Sequence, residues 1–397
     1  VVLILLFLGL TAAGQSAPKL RYDTEYPAIG YLSTVPSDRV SRLLRRIEAG
    51  ELRPAFDPER GYLDSLLREL DVPASSQILV FTKSSLQKGR ISPQTPRAIY
   101  FADDVYVAWV QGGPVLEISS VDPHLGAVFF TLEQEERARP EIARQTFVCL
   151  QCHDSYSLTG GGVPRHIMGS GIPDASGRLA SHEGWSLTTD ETPLEERWGG
   201  WYVTGTHPGE RHMGNVFVKG DAAVDCGEGA NVTSLEKLVD TRPYLGKHSD
   251  IVALLVIEHQ VHVQNLITRV NWDTRTALHR AGSLPSGEIE RLAEPLVRAL
   301  LLLDEAPLHG PITGTSGFAA EFARRGPRDS KGRSLRDLDL ERRLFRHPVS
   351  YLIYSESFDA LPQPTKAYVY RRIREDEDRK AAAEILDATK PDFAAAR

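Results

Sequence analysis

Between residues 77 and 132 apolar side chains run in short stretches broken by glycine, proline and charged residues, a pattern that predicts strands. Residues 77–82 and 97–101 read as buried strands. Residues 105–110, then Gly112-Gly113-Pro114, then 115–118 read as a hairpin, and 126–132 completes an antiparallel sheet. Ahead of it, residues 38–50 place Val40, Leu43, Leu44 and Ile47 on one side of a helix, and 61–70 predicts another. Beyond residue 249 the period becomes helical. Ser249 reads as the cap of a helix over 250–277 that opens on the apolar run 251–257, too short in itself for a membrane span. Residues 286–304 predict a further helix, kinked at Pro295. Residues 306–333, rich in Gly, Pro, Ser and Arg, read as a surface loop, and 335–345, 349–358 and 365–388 close the chain.

These patterns place the chain in the α+β class. Residues 15–139 form a mixed region with an antiparallel sheet, 140–240 a loop-rich region poor in periodicity, and 241–397 a helical region. Residues 1–14 carry the apolar run VVLILLFLGL followed by Thr11-Ala12-Ala13-Gly14, which reads as the core and cleavage site of an export signal. Cleavage after Gly14 and no membrane insertion afterwards are the expectation.

Composition is that of a soluble globular protein, with 41% hydrophobic and 25% charged residues. A net charge of −7 argues against nucleic acid and against an anionic membrane surface as partners.

Chemistry concentrates in Phe147-Val148-Cys149-Leu150-Gln151-Cys152-His153-Asp154. The chain has only 3 cysteines, and two of them stand at Cys-x-x-Cys with a histidine directly after. That is the attachment signature of haem c: two thiols add to the porphyrin vinyl groups, and His153 becomes an iron ligand. A helix running from Pro140 into the motif would put Cys149, Cys152 and His153 on one face. A redox dithiol is the competing reading, but it wants a βαβ context and leaves His153 without a task. A zinc site wants a second ligand pair, which Cys226 alone does not supply.

The motif and the stretch beyond it resemble the small class I cytochromes c, in which a distal methionine lies on a loop many residues after the haem motif. The chain has 2 methionines, and Met213 follows His153 by 60 residues, while Met168 follows by 15. The resemblance implies Met213 as the second iron ligand. Met168, a histidine or an open position remain as alternatives. The flanking stretches Gly160-Gly161-Gly162-Val163-Pro164-Arg165-His166 and Arg197-Trp198-Gly199-Gly200-Trp201-Tyr202 resemble those of large exported monohaem proteins of bacteria. The resemblance covers the motif closely and little of the remaining chain.

Three functional classes are open to such a chain. The first is a periplasmic electron carrier that docks with redox proteins. The second is a haem enzyme, peroxidase-like, with His166, His259 or His262 beside an open iron. The third is a haem-containing sensor or binding module. Glu258, His259 and His262 share one helix face, where a polar seam or a weak metal site is expected. Trp185, Trp198 and Trp201 are apolar surfaces suited to a porphyrin wall or to an ordinary core. The glycines of this region are read as allowing backbone to approach a flat macrocycle.

Overall fold

The structure, a computed structural model, describes residues 24–159, 162–179, 184–218, 224–285 and 287–396. The export-signal reading and Gly160 and Gly161 lie outside these residues.

The expected sheet is present and is an antiparallel meander of six strands: β1 (Ile78–Val80), β2 (Arg97–Phe101), β3 (Val105–Trp109), β4 (Val115–Asp122), β5 (Gly126–Glu133) and β6 (Ile142–Arg144). Alternation along the strands gives the sheet two different faces. Leu79, Tyr100, Val107, Trp109, Ile118 and Phe130 face one way and pack under α1 (Arg39–Glu48) and α2 (Leu63–Glu69). Ile78, Val80, Phe101, Tyr106 and Val121 face the other way, against the long helix α5 (Ile251–Ala281). Beside them that second face turns polar: Glu117 on β4 stands opposite Thr131 on β5, Ser119 follows two residues on, and Arg97 of β2 reaches Glu117 at 3.1 Å. The candidate site is built over this polar part. The fold is α+β.

Helix α5 is capped by Asp250, not Ser249: the Asp250 carboxylate accepts the backbone N–H groups of Val252 and Ala253 at 2.8 and 3.2 Å. It ends at Gly282 in the left-handed conformation, φ 71°. At 31 residues it is long and apolar enough to cross a bilayer, yet 83% of its most apolar stretch is buried inside the protein. Helices α6 (Glu288–Leu300) and α8 (Glu356–Asp359) pack on it, and α9 (Gln363–Glu375) packs on α6, which runs through Pro295.

Two further expectations are corrected. The residues after Pro140 are not helical: Ile142, Ala143 and Arg144 pair with Leu132, Thr131 and Phe130 as β6, because the edge of β5 needs a hydrogen-bonding partner. Helix is confined to α3 (Leu150–His153) and α4 (Tyr156–Thr159). The loop read over 306–333 contains α7 (Phe318–Arg324), whose Phe318 and Phe322 are buried one turn apart. The opposite edge of the sheet is also covered. Val80 bridges Trp201, with Phe81 donating to the Gly200 carbonyl at 2.8 Å and Tyr202 to that of Leu79 at 2.9 Å. Residues 140–240 therefore touch both edges of the sheet, and both cores cross the boundaries at 139 and 240.

Candidate haem-attachment site

Strand β6 delivers the motif. Gln145 continues the pairing, donating its N–H to the Phe129 carbonyl at 2.8 Å and its side-chain amide to Thr131 Oγ1 at 2.8 Å. The chain then leaves the sheet, and α3 forms one helical turn in which His153 N–H donates to the Cys149 carbonyl at 3.0 Å. Leu150 anchors this turn against the α1–α2 core. Cys152 is exposed, Cys149 half-buried, and neither forms a disulfide. The spacing therefore acts as expected for a single turn, although the long preceding helix is absent.

His153 is held from two sides. Its ring packs on Phe129 with centroids 4.4 Å apart, and its Nδ1–H donates to the Arg165 carbonyl at 2.7 Å. A carbonyl only accepts, so this contact fixes the tautomer and leaves Nε2 bare; among the described residues Nε2 has no hydrogen-bond partner. Burial holds the imidazole below its ordinary pKa, against the pull of the Arg165 carbonyl, which keeps the neutral, metal-binding form at pH 7.

Behind the histidine the support reaches α5. Asn265 accepts the His166 N–H at 3.1 Å and donates to the His166 carbonyl at 2.9 Å. The Ser119 hydroxyl donates to the Val128 carbonyl, so His166 Nε2 donates to Ser119 Oγ, at 2.6 Å. The His166 ring packs at a tilt against Tyr106, centroids 4.5 Å apart. It thus braces the segment that orients His153. Sequence reasoning missed Arg165, Phe129 and Asn265 as partners of the motif; they come from three separate elements and no local pattern joins them.

The dithiol reading loses ground on electrostatics. Burial, aided by Glu117 and Cys152, pushes the Cys149 thiol up to about 11, whereas a reactive dithiol needs a lowered value. Glu117 itself is held on the sheet face by Ser85, Gln87 and Arg97 at 2.5, 3.1 and 3.1 Å.

Of the 10 large apolar side chains exposed among the described residues, Phe147, Val148, Leu179, Trp185 and Leu187 all belong to residues 147–187. Phe147 is 71% exposed. Phe147 and Val148 directly precede the Cys149 thiol, while Trp185, Leu187 and Leu179 lie by the segment 169–171. The three tryptophans divide: Trp185 is exposed, while Trp198 and Trp201 are core. Glycine serves loop-to-loop contact, since a Cβ on Gly199 would lie 2.6 Å from the Gly171 nitrogen and one on Gly169 2.7 Å from the Trp185 ring.

Met168 is 5% exposed and part of the core. Met213 is half-buried on a separate loop, its N–H on the Arg197 carbonyl at 2.9 Å and its sulfur 3.6 Å from Ser170 Oγ.

The expected seam on α5 is a closed network. Glu258 pairs with Arg197 at 3.1 Å and accepts from Thr188 Oγ1 at 2.8 Å. Asp190 bridges His259 Nδ1 and His262 Nδ1, each at 2.6 Å. Burial alone would raise the Asp190 pKa, but the two histidines outweigh it and hold the carboxyl well below its usual range. Burial alone would lower that of His262, and Asp190 reverses the sign. His259 Nε2 meets Ser350 Oγ at 2.7 Å, which completes the Ser–His–Asp order of a nucleophilic triad. Ser350 and His259 are both 0% exposed, so no substrate reaches them and the constellation is structural. No group of three His, Cys, Asp or Glu among the described residues is arranged to hold a metal ion.

Comparison with protein-family models, curated proteins and solved structures returned no match. The functional reading therefore rests on the geometry of this chain.

Proposed function

We propose that the chain is an exported monohaem c-type cytochrome that transfers electrons between redox proteins of the bacterial periplasm. The observation that carries this reading is the His153 arrangement: Nδ1 tied to the Arg165 carbonyl and Nε2 bare, on the same helical turn as the half-buried thiol of Cys149 and the exposed thiol of Cys152. In this reading Cys149 and Cys152 hold the porphyrin as thioethers, and His153 and Met213 are the iron ligands. When bound, haem c supplies the one-electron couple. The polypeptide orients the proximal imidazole through Arg165 and Phe129, braces it through His166 and Asn265, and places Phe147 and Val148 beside the attachment turn.

A second reading, a haem enzyme with an open iron, takes the Met213 sulfur as a packing group held by Ser170 and not as a ligand. The visible spectrum of the oxidised protein with and without cyanide decides between them. The carrier reading expects a low-spin spectrum that resists cyanide, and Met213→Ala should turn it high-spin and open it to cyanide, whereas Met168→Ala should not. A parent protein that is already high-spin and takes cyanide quickly would reverse the order of the two readings.

A further inference from the structure

We propose that Ser170 is the positioning residue of the distal side, its hydroxyl setting both the place and the donor strength of the Met213 thioether; this rests on the reading of Met213 as iron ligand. Ser170 is 2% exposed. Its oxygen accepts the Gly199 N–H at 2.9 Å, and its hydroxyl donates to Met213 Sδ at 3.6 Å. With the oxygen already accepting from Gly199, the single proton points at sulfur. A thioether sulfur has two lone pairs, so one receives this proton while the other stays available to a metal.

The surroundings fix Ser170 as firmly as a core residue. It lies in the short strand Gly169–Ser170, paired with Ser186–Leu187, and Gly171 donates to the Gly199 carbonyl at 3.2 Å. The opposing loop is equally constrained. Trp198 adopts a left-handed φ of 67°, which a bulky residue takes only where the surroundings impose it. That turn presents the Gly199 N–H to Ser170 and the Arg197 carbonyl to the Met213 N–H. Asn215, also left-handed at φ 69°, ties the far side of the methionine loop to Val203 and Gly229 through its side chain. Three loops thus converge on one methionine, and the side-chain hydrogen bond its sulfur receives among the described residues comes from a hydroxyl.

A hydrogen bond to the ligand sulfur draws electron density from it, weakens its donation to the oxidised metal and raises the reduction potential. It also holds the sulfur against displacement. Ser170→Ala should therefore lower the potential and raise cyanide affinity about three- to tenfold, the factor expected from losing one modest hydrogen bond. Ser170→Thr, which keeps the hydroxyl, should restore both values. If Met213→Ala opens the iron while Ser170→Ala leaves potential and cyanide affinity unchanged, the role of Ser170 is overturned and the methionine ligand stands. If Met213→Ala leaves the spectrum unaltered, the ligand assignment fails and Ser170 with it. Should the alanine variant not fold, Ser170→Gly removes the same hydroxyl and repeats both measurements.

Discussion

Replacing Cys149 and Cys152 together with alanine should remove all covalently held haem from protein matured in a host able to assemble c-type cytochromes. Mass spectrometry after denaturation should show one haem per chain in the parent and none in the double variant. Each single variant should retain haem through one remaining thioether, in lower yield. The expectation rests on the attachment turn: α3 sets the two thiols three residues apart, and Leu150 and Gln145 fix its base to the core and the sheet. His153→Ala should leave the thiols in place and remove the proximal ligand, so its product should carry attached haem with an altered spectrum. A parent protein that releases all its haem on extraction with acidified solvent would sink the haem c reading, whatever the variants do.

Arg197→Ala should destabilise the fold by about 3–5 kcal/mol, the cost of leaving a buried charge without its partner. Arg197 and Glu258 are 2% and 0% exposed and 3.1 Å apart, and the guanidinium also donates to the Asp190 and Thr192 carbonyls at 2.8 and 2.6 Å. The pH dependence carries the sign. Burial raises the Glu258 pKa above its ordinary 4.5, with Arg197, Thr188 and Trp198 opposing. A carboxyl whose folded pKa is raised favours the folded state most below its unfolded value and loses that contribution as pH rises through the folded value. Without Arg197 the rise is larger. The deficit of Arg197→Ala should thus be smallest near pH 4.5 and grow toward neutrality in denaturant titrations. A deficit independent of pH would mean that lost packing, and not the stranded carboxylate, sets the cost. Arg197→Leu combined with Glu258→Leu should recover much of the stability, because no buried charge then remains.

Features legible in the sequence and features hidden from it divide along contact range. Strands β1 to β5 were readable because alternation is a property of adjacent residues, and α5 because its apolar opening is continuous. Cys149, Cys152 and His153 form a local motif, legible without any fold. Strand β6 escaped because three residues of edge pairing leave almost no periodic trace, and the decisive fact, an unpaired edge on β5, lies elsewhere in the chain. The seam on α5 was legible as a polar face, but its partners were not. Arg197 stands 61 residues before Glu258, Asp190 precedes His259 by 69, and Ser350 follows it by 91. The same holds for Ser170 and Met213, 43 residues apart. A hydroxyl and a thioether on two glycine-bearing loops announce nothing until the loops meet.

The closure of both sheet edges by one region has a consequence in time. A chain that emerges N-terminus first brings out β1 to β6 and then the thiols, with 49 residues still to come from Cys152 to Trp201. Until Trp201 arrives, the β1 edge has no partner and the meander is unfinished. In the haem c reading, Cys149 and Cys152 would therefore be on offer to an attachment machinery before the last strand-like contact locks the sheet. The order of residues along the chain thus works as a schedule: the thiols are presented first, and the edge is sealed afterwards.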